Sequence, residues 1–195
     1  DKRLGRIEYN KKHIPNAIFF DIDFFSKNNS KFPHAIPFKK DFEKKVSDLG
    51  ISNHHHVIIY DQSGYVSSTR VWFLFKFFGH KEISILDGGM SNWIKEKKLV
   101  TSKIVKRKKE IFFASKSCKM LITKKEIKSL IKGKSRSFKI IDARPEDRFL
   151  GKVDEPRKNV KKGRISCSIN IPFNRIHNTN GLILKKNQLE KLFQA

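Results

Sequence analysis

Apolar residues run through this chain in two alternating rhythms, short continuous runs and helical stripes, and the alternation predicts its elements. Ile14-Pro15-Asn16 reads as a turn into a short buried strand ending at Phe20. Asp21-Ile22-Asp23 follows, then a polar loop of Ser, Asn and Lys that closes at Pro33-His34. Phe38, Phe42, Val46 and Leu49 are spaced as one face of a helix, and Gly50 stops it in the left-handed conformation that glycine tolerates. Val57–Tyr60 is a continuous apolar strand running out into Asp61-Gln62-Ser63-Gly64. Residues 66–78 are apolar on nearly every side, the mark of a helix buried on two faces, and Gly79 ends it. Ile83–Leu86 is a further strand, and Asp87-Gly88-Gly89 turns into a short helix holding Trp93.

From Lys97 the pattern changes. The stretch to Lys119 is lysine-rich and poorly periodic, with Ile111-Phe112-Phe113 as its one short strand. Thr123-Lys124-Lys125-Glu126 is a capping box opening a helix to about Ile131. A strand over 138–142, an irregular loop, a turn and strand over 163–172, and a last helix beginning at Leu189 complete the chain. Strand and helix alternate throughout, so an α/β fold with a mainly parallel sheet is the economical architecture. The wording also repeats: HIPNAIFF over 13–20 matches RISCSINI over 164–171. The repeat predicts tandem domains: residues 1–100, a connection over 101–119, and the first half of a second domain over 120–195. That second copy has no counterparts of Val57–Asp61 and Ile83–Gly89, so the sequence predicts a second domain cut short.

Composition then narrows the function. Lys and Arg number 43 against 19 Asp and Glu, a net charge of +24. Such a surplus fits a phosphate-binding surface. The lysines are spread along the whole chain, however, and RNA-module signatures, zinc-finger spacings and interleaved aromatic platforms are absent, so no nucleic-acid partner is expected. The charge is read as solvated surface that also attracts small anions. No apolar run reaches the roughly 20 residues that span a bilayer, so no membrane partner is expected either. Cys118 and Cys167 form neither a disulfide framework nor a metal pair, which points to a reducing, cytoplasmic compartment. The run His54-His55-His56 is read as a polar turn, with no metal and no cofactor expected.

The strongest candidate chemistry lies in IIDARPEDRFLGKVDEPR, residues 140–157. A β-branched run ends at Asp142, and Arg148 and Arg157 follow in the loop that leaves its carboxyl end, where open α/β sheets gather ligands. Two guanidinium forks there suit a small carboxylate. Taken alone, the stretch is better explained by Arg148 pairing with Glu146 or Asp147 on the surface, an arrangement of little energetic weight.

HIPNAIFFDID (13–23), VIIYDQSG (57–64), RVWFLFKFFGH (70–80) and ISILDGGMSNW (83–93) resemble the N-terminal domain of two-domain sulfurtransferases of the rhodanese family. IDARPEDRFLG, EPR and GRISCSINIPF resemble the first half of that family's C-terminal domain. The resemblance covers nearly the whole chain in order, and lies nearer the 3-mercaptopyruvate branch than the thiosulfate branch. It implies tandem rhodanese-like domains, each a mainly parallel sheet flanked by helices, and ping-pong transfer of sulfane sulfur. A cysteine takes sulfur from a small anionic donor as a persulfide and passes it to a thiol such as thioredoxin, or to cyanide. The resemblance places that cysteine beyond Ala195, so these 195 residues are expected to be inactive by themselves. It also implies that the chain begins after the first strand of its N-terminal domain.

The same resemblance assigns Arg148 and Arg157 to the donor, gripping its carboxylate and keto oxygens. It assigns Asp23 and His34 as a supporting pair that orients a serine beside the missing nucleophile. Asp61 stands where the second domain would carry its cysteine, as expected of an inactive N-terminal domain. Cys167 occupies the turn slot held by Asn16 in the first repeat, and Cys118 matches no catalytic motif. Two departures fall in turns, Asn16 for a glycine and Arg-Ile-Ser-Cys at 164–167. A non-catalytic binding or regulatory module on the same scaffold is the alternative reading.

Overall fold

A computed structural model describes residues 4–62, 64–115, 120–133, 138–157 and 160–194, which divide into two compact units, Asp1–Leu121 and Ile122–Ala195. Cys118 and Ser63 lie outside the described residues.

In the first unit, α1 (Gly5–Lys11) precedes α2 (Lys39–Asp48), β1 (Val57–Ile59), α3 (Val66–Phe77), β2 (Ile83–Ile85) and α4 (Gly89–Lys95). The helical stripe holds at its centre, while Phe38 caps the helix from outside and is left exposed. Phe42 and Val46 of α2 are fully buried, and Gly50 takes φ 74° just past the helix end. β1 and β2 pair in parallel with Val57 opposite Ile83 and Ile59 opposite Ile85. α3 packs over them and buries Val71, Leu74, Phe75 and Phe77. The core is aromatic: Phe42 stacks on Phe78 with ring centroids 4.3 Å apart and meets Phe75 edge-on at 5.4 Å. α1 is an element that the sequence pattern leaves unassigned.

Two predicted strands do not form. Residues 17–20 take no regular structure and join no ladder, although Ile18 and Phe20 pack against the core. Residues 111–113 likewise join no ladder. There, side chains supply the bonds a neighbouring strand would otherwise give: Phe112 N–H donates to Ser47 Oγ at 3.1 Å, Phe113 N–H to Asn53 Oδ1 at 2.7 Å and Ala114 N–H to Glu43 Oε1 at 2.9 Å. Phe112 still reaches the core, so apolar content without a backbone partner produced burial without a strand.

The second unit contains α5 (Lys124–Lys132), β3 (Ile140–Asp142), the short α6 (Glu146–Phe149), β4 (Ser168–Asn170), a 3-10 turn (Phe173–Arg175) and α7 (Lys186–Gln194). The capping box forms as read: Thr123 accepts from the Glu126 N–H, and the Glu126 carboxylate accepts from Thr123 N–H at 2.6 Å. β3 and β4 pair in parallel with Ile140 opposite Ser168 and Asp142 opposite Asn170. Asn16 and Cys167, which share a slot in the sequence repeat, share a left-handed φ of 65° as well. Asparagine is among the side chains that tolerate this conformation, and cysteine holds it here as a turn residue. Among the described residues of this unit only Ile171 and Pro172 are buried. α5 and α7 bury none of theirs.

Candidate functional site

The loop after residue 20 builds the first group of polar side chains. Asp21 Oδ1 accepts from the N–H groups of Asp23 at 3.0 Å and Phe24 at 3.2 Å, an Asx turn that fixes the backbone of Asp23. His34, at the far end of the polar loop, has φ 54° and places Nε2 2.9 Å from Asp23 Oδ1. Both side chains are accessible, His34 at 50% and Asp23 at 86%. The His34 carbonyl accepts from the Arg70 guanidinium on α3. The sequence thus brings Asp23 and His34 together across eleven residues, and Arg70 of the RVW motif anchors the pair from behind. Arg70 carries no spacing signal in the sequence that would link it to His34, because the contact spans 36 residues between a loop and α3.

The end of β1 is closed by its own carboxylate. Asp61 accepts from the N–H groups of Tyr65 (3.1 Å), Ser67 and Ser68 (both 2.8 Å), the donors that open α3. Such a cradle of N–H groups at a helix start favours negative charge, and here the protein supplies it. Tyr65 donates to Asp87 at 2.5 Å and accepts from Gly88 N–H at 2.7 Å. Burial, then the bond to Asp87, push its phenol up to about 12. A side chain at Gly89 would place its Cβ 2.6 Å from the Asp61 carbonyl, and φ there is +53°, so the second glycine of the LDGG motif is set by close approach.

In the second unit the arginine loop folds on itself. Arg144 makes a forked contact with Asp142, its NH2 2.5 Å from Oδ2 and its Nε 2.9 Å from Oδ1, and also donates to Glu155 at 2.7 Å and the Gly163 carbonyl at 2.8 Å. Arg148 donates to the other Glu155 oxygen at 2.5 Å. Its partner is therefore Glu155, and neither Glu146 nor Asp147. Neighbours one and two residues apart point away from each other on a helical turn, while Gly151 (φ 74°) reverses the chain and returns Glu155. The side chain of Glu155 is 5% exposed and those of Arg144 and Arg148 are 27% and 29% exposed, so the network sits half under the surface. Arg157, two residues on, is exposed and makes no ion pair among the described residues. Glu155 escaped sequence reasoning because its contact closes a loop and follows no period.

The carboxylates of this network carry a pH dependence. Arg144 holds Asp142 below its usual value, and Arg148 holds Glu155 below its own. Both folded values lie under the unfolded ones, about 3.9 for Asp and 4.3 for Glu, so their stabilisation is full above that range and fades as pH falls through it. The thermal midpoint of the chain should drop on acidification below about pH 4.5, and Glu155→Gln should flatten that drop. An unaltered acid profile in the variant would contradict the assignment.

The His54–His56 run forms the polar turn expected of it: His55 Nδ1 accepts from Ser52 N–H at 3.1 Å, and His56 Nε2 lies 2.9 Å from Ser84 Oγ. Among the described residues no group of His, Cys, Asp and Glu is arranged to hold a metal, and no helix is long and apolar enough to cross a membrane.

Residues 5–96 match the family model for a rhodanese-like domain. The chain is 36% identical over 194 residues to the 3-mercaptopyruvate sulfurtransferase of Rattus norvegicus, covering 98% of the chain and 65% of the relative. It is 34% identical over 195 residues to the thiosulfate sulfurtransferase of the same species, with the same coverage. The crystal structure of the Escherichia coli 3-mercaptopyruvate sulfotransferase SseA superposes with a TM-score of 0.86 at 29% identity, over 100% of this chain and 71% of that one. The chain thus spans about 65% of the length of these curated relatives.

Proposed function

This chain belongs to the rhodanese family, and from that premise we propose that it supplies the donor-binding part of a sulfurtransferase acting on 3-mercaptopyruvate. The observation that carries the reading is the Glu155-anchored arginine loop, which leaves guanidinium donors of Arg148 accessible at the carboxyl end of β3 with Arg157 exposed beside it. Relatives named for 3-mercaptopyruvate and for thiosulfate support a small anionic donor.

The chemistry assigns each group a task. A cysteine thiolate attacks the donor sulfur, the carbon–sulfur bond breaks, and its electrons pass to the carbonyl as a pyruvate enolate. Protonation at carbon gives pyruvate, and the sulfur stays on the enzyme as a persulfide. A thiol such as thioredoxin, or cyanide, then removes it. Arg148 and Arg157 bind the donor carboxylate and keto oxygen, and their charge stabilises the enolate more than the ground state. Asp23 and His34 orient a hydroxyl that moves the proton, the logic of a base held by a carboxylate. Cys167, the one cysteine among the described residues, does not compete for that role, being a turn residue at φ 65°, and Asp61 at the end of β1 cannot carry sulfur.

In a catalytically complete enzyme containing this chain, pyruvate release from 3-mercaptopyruvate with cyanide as acceptor is the test. His34→Gln should lower turnover by about 10²-fold, the usual contribution of a positioned acid–base group. Turnover unchanged by this substitution would remove the pair from the mechanism.

A further inference from the structure

The two members of the Asp23–His34 pair are held by unequal means. Asp23 has a firm base. Its own N–H and that of Phe24 donate to Asp21, and its carbonyl accepts from Ser26 N–H at 3.0 Å. Phe25, two residues on, is 1% exposed in the aromatic core. His34 instead lies at the far end of a polar loop, 27–34, none of whose residues is buried. The Lys27 N–H closes that loop on the Ala35 carbonyl at 2.9 Å, and within it Phe32 N–H donates to Ser30 Oγ at 3.1 Å. His34 has a left-handed φ of 54°, a conformation that a residue with a side chain keeps where its surroundings hold it.

Arg70 of α3 supplies that hold. Its guanidinium donates to the His34 carbonyl and lies 5.4 Å from the centre of the Phe73 ring. Among the described residues Arg70 makes no ion pair, and its Nε is buried without a hydrogen-bond partner. Burial holds its guanidinium below the usual value. A half-buried cation with no carboxylate beside it is a cost to the fold, so stability does not account for an arginine here. What its side chain does bond is the main chain of His34. We propose that Arg70 is a positioning residue for sulfur transfer: it fixes the left-handed turn at His34 that aims the imidazole at Asp23. The inference rests on the role in sulfur transfer proposed above for that pair. Arg70 acts through the His34 carbonyl and needs no contact with the donor or with Asp23.

Two measurements test it, one of them free of the reaction. In the 195-residue chain, Arg70→Met releases the far end of the loop, so hydrogen exchange at the Lys27 amide should quicken at least about tenfold. The amides of Phe25 and Ser26, on the Asp23 side, should stay within about twofold. Circular dichroism checks that the variant is folded. Where it is not, Arg70→Lys carries the test: it keeps the stem and the charge, loses the planar fork, and should give the same pattern at about threefold. In a catalytically complete enzyme containing this chain, Arg70→Met should lower kcat for pyruvate release from 3-mercaptopyruvate by about tenfold and leave KM within about twofold. Misplacing a catalytic group by about 1 Å can cost about 10²-fold. In a His34→Gln background the same substitution should cost less than about twofold, because the residue it positions is already gone. Unchanged exchange at Lys27, unchanged kcat in Arg70→Met, or an equal loss in both backgrounds would each overturn the proposal, the last making Arg70 a residue of fold stability alone. Full turnover in His34→Gln by itself would instead remove the pair from the mechanism and take this proposal with it.

Discussion

Replacing Phe42 by alanine should cost the first unit about 3–5 kcal/mol, the range for removing a buried aromatic ring from a packed core. Phe42 is fully buried, stacked on Phe78, and meets Phe25, Phe75 and Phe112 edge-on. These neighbours come from three separate parts of the chain, so no single side chain can move in to fill the space. The loss also reaches the polar loop. Phe25 lies two residues beyond Asp23 and stacks on Phe20 at 3.8 Å, so loosening its seat disturbs the turn that holds the Asp23–His34 pair. Urea unfolding followed by the fluorescence of Trp72 and Trp93 is the measurement. A change below about 1 kcal/mol would mean that the aromatic cluster repacks and is not the centre of this unit.

Much of this architecture was legible in the sequence because its signals are local. The spacing of Phe38, Phe42 and Val46, the glycine after α2, the capping box at Thr123 and the continuous run at Val57 each determine an element with only its own residues. The repeat of 13–20 in 164–171 went further and predicted a matched turn, and Asn16 and Cys167 do share one conformation. What failed was pairing. A strand is a property of two segments, and neither Phe19 nor Phe113 carries information about whether a backbone lies beside it. Side chains of Ser47, Asn53 and Glu43 satisfied one of these stretches, and the other packs Ile18 and Phe20 against the core without a ladder.

The site divided in the same way. Asp23 and His34 were readable as a pair only through the family resemblance, since eleven residues and a left-handed turn separate them. Arg148 was readable as a charge, but its orientation was not. Glu155 settles that orientation, together with that of Arg144, and a loop closed by Gly151 has no periodic trace in sequence. Asp61 and Gly89 illustrate the reverse case. Their close approach explains two motif residues by packing alone, with no chemistry required of either.

The proposed clamp of Arg148 and Arg157 for a keto-acid sulfur donor is one that the donor itself can discriminate. 3-Mercaptopyruvate offers a carboxylate and a keto oxygen to two guanidiniums, whereas thiosulfate is a compact anion that one guanidinium can hold. A charge-assisted hydrogen bond contributes about 1.5–3 kcal/mol, which corresponds to roughly 10–100-fold in affinity. In a catalytically complete enzyme containing this chain, Arg157→Gly should raise KM for 3-mercaptopyruvate by about that factor and leave KM for thiosulfate within about threefold, a difference smaller than 1 kcal/mol. Equal increases for the two donors, or no increase for either, would contradict the assignment of the clamp.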